Sequence, residues 1–145
     1  MRLQTATLAD VTHAILRIGV GLLFLQHGLQ KIFGLFGGRQ VPLTSLMGVA
    51  GILELAGGVL LIAGLFTRAV AAVLLVEMIV AFVKAHLPRG WVPIENGGEL
   101  ALLYAATFVF FAAHGAGAFS VDASLARRRP MSGRVRARLR RVRAA

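Results

Sequence analysis

Cysteine is absent from this chain. That excludes a disulfide framework, a thiolate metal site and dithiol catalysis carried by the chain itself, and it leaves the compartment unread. Charge is scarce as well: 15% of the 145 residues are charged, and only six are acidic. A soluble domain of this size needs far more polar surface to stay in solution. No nucleotide-binding loop, nucleophile elbow or zinc-protease signature occurs. The opening stretch "MRLQTATLADVTHAILRIGV" lacks a compact charged region followed by an apolar core and a small-residue cleavage site. It also carries Arg17 inside its first apolar run, so it reads as a retained span and not as a cleaved signal. No internal repeat is convincing, although each half of the chain forms a helical hairpin.

What is present is a membrane composition, 57% hydrophobic with a positive mean hydropathy. Roughly 20 apolar residues cross a bilayer core as a helix. Four stretches meet that length, at about 11–36, 43–66, 69–87 and 98–117, separated by "GGRQVP", "TR" and "LPRGWVPIENGG". Glycine, proline or charge marks each break. The expected architecture is an all-α integral membrane four-helix bundle in up-down-up-down order, because open backbone in lipid leaves polar groups unsatisfied and short turns favour antiparallel neighbours. Four spans put both termini on one side. The formal net charge is +10, yet nine of the sixteen Lys and Arg residues lie between Arg127 and Arg143. The basicity therefore belongs to a tail, which argues against nucleic acid as a partner and makes the termini and the Arg68 turn cytoplasmic by the positive-inside rule. The expected organisation is a short cytoplasmic N-terminus at 1–10, a membrane domain at 11–122 and a basic cytoplasmic tail at 123–145. The tail is expected to contact anionic lipid, at about 1 kcal/mol per cation near the surface.

An ionised group near the centre of a span costs about 2.5–3.5 kcal/mol, so the charges retained inside the membrane are the most informative feature. They are Arg17, His27 and Lys31 in the first stretch, Glu54 in the second, Glu77 and Lys84 in the third, and Glu99 opening the fourth. Helical geometry puts His27 and Lys31 on one face, and Glu77 and Lys84 on one stripe. Glu54 shares its face with Gly51, Gly57 and Gly58, small residues that let another helix come close. These faces permit a homo-oligomer and equally permit packing within one chain. Depth places His27, Lys31, Lys84, His86, Asn96 and Glu99 in the outer half and Glu54 and Glu77 near the middle. A polar pocket opening outward over Glu54 and Glu77 is expected, with Arg17 reaching Glu77 from below as a structural ion pair.

Two readings of this cluster stand open. In one, Glu54 pairs with Lys31 or His27 and fixes which helix packs on which; in the other, His27, Lys31, Glu54, Glu77, Lys84 and Glu99 handle a ligand or protons. His27, Glu54 and Glu99 are of metal-ligand type, but they come from three helices without a paired ligand spacing, so no metal site is expected. Bis-histidine haem would need His27 with His86, or His13 with His114, and neither pair carries a specific signal. Tyr104 points away from the Glu99 face and reads as a packing residue.

With these residues in view, the sequence resembles the DoxX family of small prokaryotic membrane proteins. The resemblance rests on "LRIGVGLLFLQHGLQKIFG" from Leu16, "ILELAGGVLLIAGLFTR" from Ile52, "NGGELALLY" from Asn96 and "GAGAFSVD" from Gly115. It covers about residues 15–122 and leaves the arginine tail outside. It implies a multi-pass protein of the prokaryotic plasma membrane, similar to subunits of quinone-linked sulfur oxidation and terminal oxidases, and to a subunit that assembles with detoxifying enzymes in oxidative-stress defence. The resemblance thus implies a redox-associated subunit in which His27, Lys31, Glu54 and Glu99 could hold or protonate a quinone headgroup. Without cysteine, any quinone-linked oxidoreductase activity would take its electrons from a partner redox enzyme or a bound cofactor. The alternatives are a binding or transport module for a small molecule, lipid or proton, and a structural anchor that docks soluble enzymes.

Overall fold

The computed structural model describes residues 7–128, and among them every regular element is helical. The first helix, α1 (Leu8–Phe33), starts where Thr7 and Asp10 cap each other's backbone. The Thr7 hydroxyl accepts from Asp10 N at 3.2 Å, and the Asp10 carboxylate accepts from Thr7 N at 3.1 Å. This reciprocal box satisfies two donors that the first turn leaves free. The second helix, α2 (Leu46–Ala63), is capped by Ser45 and closes on Gly64, whose φ of 67° is a left-handed conformation that only glycine adopts without strain. A tight turn leads to α3 (Thr67–Ala81), which continues through a π turn at Phe82–His86 and a 3-10 turn at Leu87–Arg89. A single turn, α4 (Pro93–Asn96), precedes α5 (Glu99–His114), and α6 (Val121–Arg128) follows a glycine-bearing bend.

Three of these segments are long and apolar enough to cross a membrane: Leu8–Phe33, Leu46–Ala63 and Thr67–Arg89. The fourth, α5, is apolar but has 16 residues, about 24 Å at 1.5 Å per residue against a hydrocarbon core of about 30 Å. The sequence led us to expect a longer stretch, to residue 117. Gly115 and Gly117 both take positive φ and bend the chain away before that point. The residues at 123–128 continue α6 from Val121, with Arg127 and Arg128 exposed; the tail from residue 129 onward lies outside the described residues, as do residues 1–6.

The helices pack in pairs, α1 on α2 and α3 on α5, with α2 joining them through α3. Glycine sets the first contact. A Cβ on Gly28 would stand 2.7 Å from the Leu55 Cα, and one on Gly58 would stand 2.7 Å from Leu25 N, so backbone meets backbone there. Gly28 lies opposite Leu55, Gly51 opposite Lys31 and Gly58 opposite Leu25, a register that runs antiparallel. The small face of α2 is thus used inside the chain. Phe24, Leu61, Leu74, Phe108 and Phe111 form the centre of the core, and Tyr104 packs edge-on against Phe24 with 4.7 Å between ring centroids.

Candidate functional site

Buried charge occurs in two places. At the α2–α3 turn, Arg17 is 1% exposed and its guanidinium donates to the carbonyls of Leu61, Ile62 (2.9 Å) and Phe119 (2.6 Å). The first two are carbonyls of the last turn of α2, that of Leu61 shared with the capping Gly64 N–H, and a cation at a helix C-terminus is favoured by the helix dipole. The expected ion pair of Arg17 with Glu77 does not form: Arg17 spends its two terminal nitrogens on backbone carbonyls, and Glu77 lies further along α3, away from this turn. Asp122 completes the same corner. Its carboxylate accepts from Phe66 N at 2.9 Å and Thr67 N at 3.0 Å, and so caps the start of α3. Residue type alone does not disclose this division of labour, because the acceptors and donors involved are backbone groups.

The other place is mid-bundle. Lys31 Nζ donates to Glu54 Oε1 at 2.5 Å, the one ion pair among the described residues. The Lys31 side chain is 19% exposed and that of Glu54 is 4% exposed. Such a pair contributes little net stability, because desolvation offsets the attraction, but removing either partner leaves a buried charge alone. Beside it Glu77 is buried on α3 with no hydrogen-bond partner on either carboxylate oxygen, and Glu54 Oε2 has none either. All three side chains line one cleft of about 700 Å³ between α2 and α3. Its walls are apolar, built from residues such as Leu46, Val49, Leu53, Val73, Val76 and Met78, and Lys84 and His86 line it towards the end of the third segment. Several wall residues, Met47, Val73 and Val76 among them, are exposed, so the cleft opens sideways as well as along the helices.

The structure therefore brings Lys31, Glu54, Glu77 and Lys84 to one cleft. It does not bring His27 or Glu99 there. His27 is half-buried and faces the aromatic layer, edge to face with Phe24 and Tyr104 at 6.5 Å from each. Glu99 is exposed, because α5 packs through Ala101, Tyr104, Ala105 and Phe108, and Glu99 projects from the opposite side. Asn96 is instead the buried polar group of that region: its amide donates to the Gly90 carbonyl at 2.7 Å and its side-chain oxygen accepts from Gly98 N at 2.8 Å. The Asn96 carbonyl accepts from His86 Nδ1 at 3.2 Å. His13 and His114 hold backbone carbonyls, of Gly115 and Phe110 respectively, each at 3.0 Å. Among the described residues no three His, Asp or Glu side chains converge as metal ligands.

The DoxX family profile matches residues 12–87, more than half of the chain and all of the cleft's lining. The chain belongs to the DoxX family. The match stops before "NGGELALLY" and "GAGAFSVD", so the resemblance of those two stretches lies outside it. Among similar proteins, an uncharacterised protein of Haemophilus influenzae is 43% identical over 116 residues, covering 75% of this chain and 87% of its own length. An uncharacterised membrane protein of Mycobacterium tuberculosis is 29% identical over 138 residues, 81% of this chain and 83% of that one. CatD of Bacillus subtilis, named as a proposed oxidoreductase, is 32% identical over 118 residues, 78% of this chain and 86% of its own. No solved structure matches the chain. With three helices able to cross a membrane and bacterial membrane relatives, this DoxX protein is a multi-pass protein of a prokaryotic membrane, in contact with the lipid bilayer.

Proposed function

We propose that this DoxX protein is the membrane subunit of a quinone-linked redox complex and receives the headgroup of an amphiphilic quinone in the α2–α3 cleft. The observation that carries the reading is the cleft itself: apolar walls open to the lipid side, with an ion pair and unpartnered carboxylate oxygens at its floor. Pockets for small apolar ligands have this make-up, a greasy lining with a few convergent polar groups that fix orientation. Lys31 is the donor for a headgroup carbonyl, and Glu54 and Glu77 accept from a headgroup hydroxyl. The name of CatD supports redox association in a relative. A chain without cysteine performs no thiol–quinone exchange of its own, so electrons come from a partner enzyme or a bound cofactor.

In this reading α5 is the fourth span of an up-down-up-down bundle with both termini cytoplasmic. The Arg68 turn and the arginine tail then share the cytoplasmic side, and the tail lies on anionic lipid. The cleft's Lys84 and His86 end faces outward. The test is mass spectrometry of lipids and quinones that co-purify with the full chain in mild detergent, wild type against Glu54→Gln. A quinone retained by wild type and lost from the variant supports the reading. Bulk lipid alone in both proteins overturns it in favour of a carrier or an anchor.

A further inference from the structure

Glu77 is the one buried acid of the cleft whose two carboxylate oxygens both lack a partner among the described residues. Its position leaves it no cation of its own, since the Lys31 ammonium is already bonded to Glu54. An ionised carboxylate held this way inside a membrane bundle costs several kcal/mol, whereas a carboxyl that bears a proton avoids that cost. The groups arranged around it come from every packed element. Glu54 on α2 and Lys31 on α1 share the cleft, and Lys84 and His86 follow on its own segment. His27 on α1 and Tyr104 on α5 meet each other edge to face and stay out of the cleft's lining.

A second observation links this acid to the end of the bundle. The third segment does not remain α-helical: Phe82–His86 forms a π turn, a rare element that is concentrated at functional sites. At about 100° per residue an unbroken α-helix would put His86 on the side opposite Glu77. The wider turn swings the chain back, and Lys84, Ala85 and His86 all line the cleft that Glu77 floors. His86 is held in that position by its bond to the Asn96 carbonyl.

We propose that Glu77 carries an exchangeable proton and trades it with water at the Lys84–His86 mouth of the cleft. On release the O–H bond of the Glu77 carboxyl breaks and the proton passes to a water oxygen admitted through the mouth. The carboxylate left behind shares the cleft with the Lys31–Glu54 pair and has no cation of its own, which favours reloading by the reverse transfer. No redox step is involved, and the proposal holds whether or not a quinone occupies the cleft.

Infrared difference spectroscopy of the full chain in nanodiscs of quinone-free synthetic lipid tests it, with transfer from H2O to D2O. Wild type is expected to show a carboxylic-acid carbonyl band that shifts down in D2O. Glu77→Gln removes that band, Glu99→Gln leaves it, and Glu77→Asp, which keeps the acid if the glutamine variant fails to fold, moves it. Replacing Lys84 and His86 together by alanine keeps the band and slows its D2O shift several-fold. The proposal is overturned by wild type lacking the band, by a band that survives Glu77→Gln, by one unmoved in Glu77→Asp, or by an exchange rate indifferent to the mouth substitutions.

Discussion

Arg17 and Glu77 are both ionisable residues buried in membrane helices, and the protein treats them in opposite ways. Around Arg17 the backbone answers most of what the charge needs: three carbonyls accept from the two terminal nitrogens of the guanidinium, leaving only Nε without a partner among the described residues, and Asp122 holds the facing amides of the same corner. Around Glu77 no hydrogen-bond donor does so among the described residues, and an open cleft stands where a partner would be. A charge in a transmembrane helix is therefore not in itself a sign of function. The sign is a charge whose hydrogen-bonding capacity remains unused beside accessible space, because a purely structural group has every reason to be satisfied.

The sharpest way to break this contrast is at the ion pair that borders both roles. Lys31→Met leaves Glu54 buried without its cation, and a loss of about 3–5 kcal/mol is expected. The double variant Lys31→Met/Glu54→Leu removes both charges, and its stability is expected to return to wild type or exceed it by about 1–4 kcal/mol. Reversible unfolding in mixed micelles reads both. If the double variant is as unstable as the single one, the pair is a structural clasp and the cleft loses its claim. Arg17→Met comes next. It strands carbonyls at the end of α2 and at Phe119, and about 3 kcal/mol is expected, with no change in what co-purifies in the cleft. Arg17→Lys recovers part of that loss, because an ammonium lacks the planar fork that reaches several carbonyls at once.

Smaller effects sharpen the same picture. Gly58→Ala puts a methyl group against the Leu25 backbone, where a few tenths of an ångström are not available, and about 1–3 kcal/mol is expected. Asp122→Ala removes the cap from α3 and costs about 1 kcal/mol. Helicity and thermal stability by circular dichroism check both, and a neutral Gly58→Ala would mean that α1 and α2 do not approach through glycine.

Much of this was legible in the sequence, for identifiable reasons. Hydropathy and the breaks at "GGRQVP", "TR" and "LPRGWVPIENGG" located the helices to within a turn, while the expected stretches 11–36 and 43–66 overran the caps at Gly34, Ser45 and Gly64 that set the ends. The small face around Glu54 announced a close helix contact, though not that α1 fills it. Three things were hidden. Arg17 looked like a partner for Glu77 because a sequence displays charges and not backbone carbonyls, which are the acceptors it uses. The π turn has no composition of its own, so His86 could be placed by depth but not in the cleft beside Glu77. The length of α5 depended on Gly115 and Gly117 bending early, which a run of small apolar residues does not disclose.

Glu99 separates the two ways of choosing site residues. By type it belonged with Glu54 and by expected depth with His27 and Lys31, and it opens an apolar helix in the same way that a ligand-binding acid would. By geometry it projects from the side of α5 opposite Ala101, Tyr104 and Phe108, is exposed, and lines no part of the cleft. An acid in the first turn of a helix is favoured by the dipole, which accounts for its presence without a ligand. Glu99→Gln is therefore expected to change stability by no more than about 0.5 kcal/mol, and to leave both the co-purified ligand and the acid band of Glu77 as they are. Loss of the ligand in Glu99→Gln, with the fold intact, would mean that α5 turns this residue inward in the membrane and that the site includes the fourth helix after all.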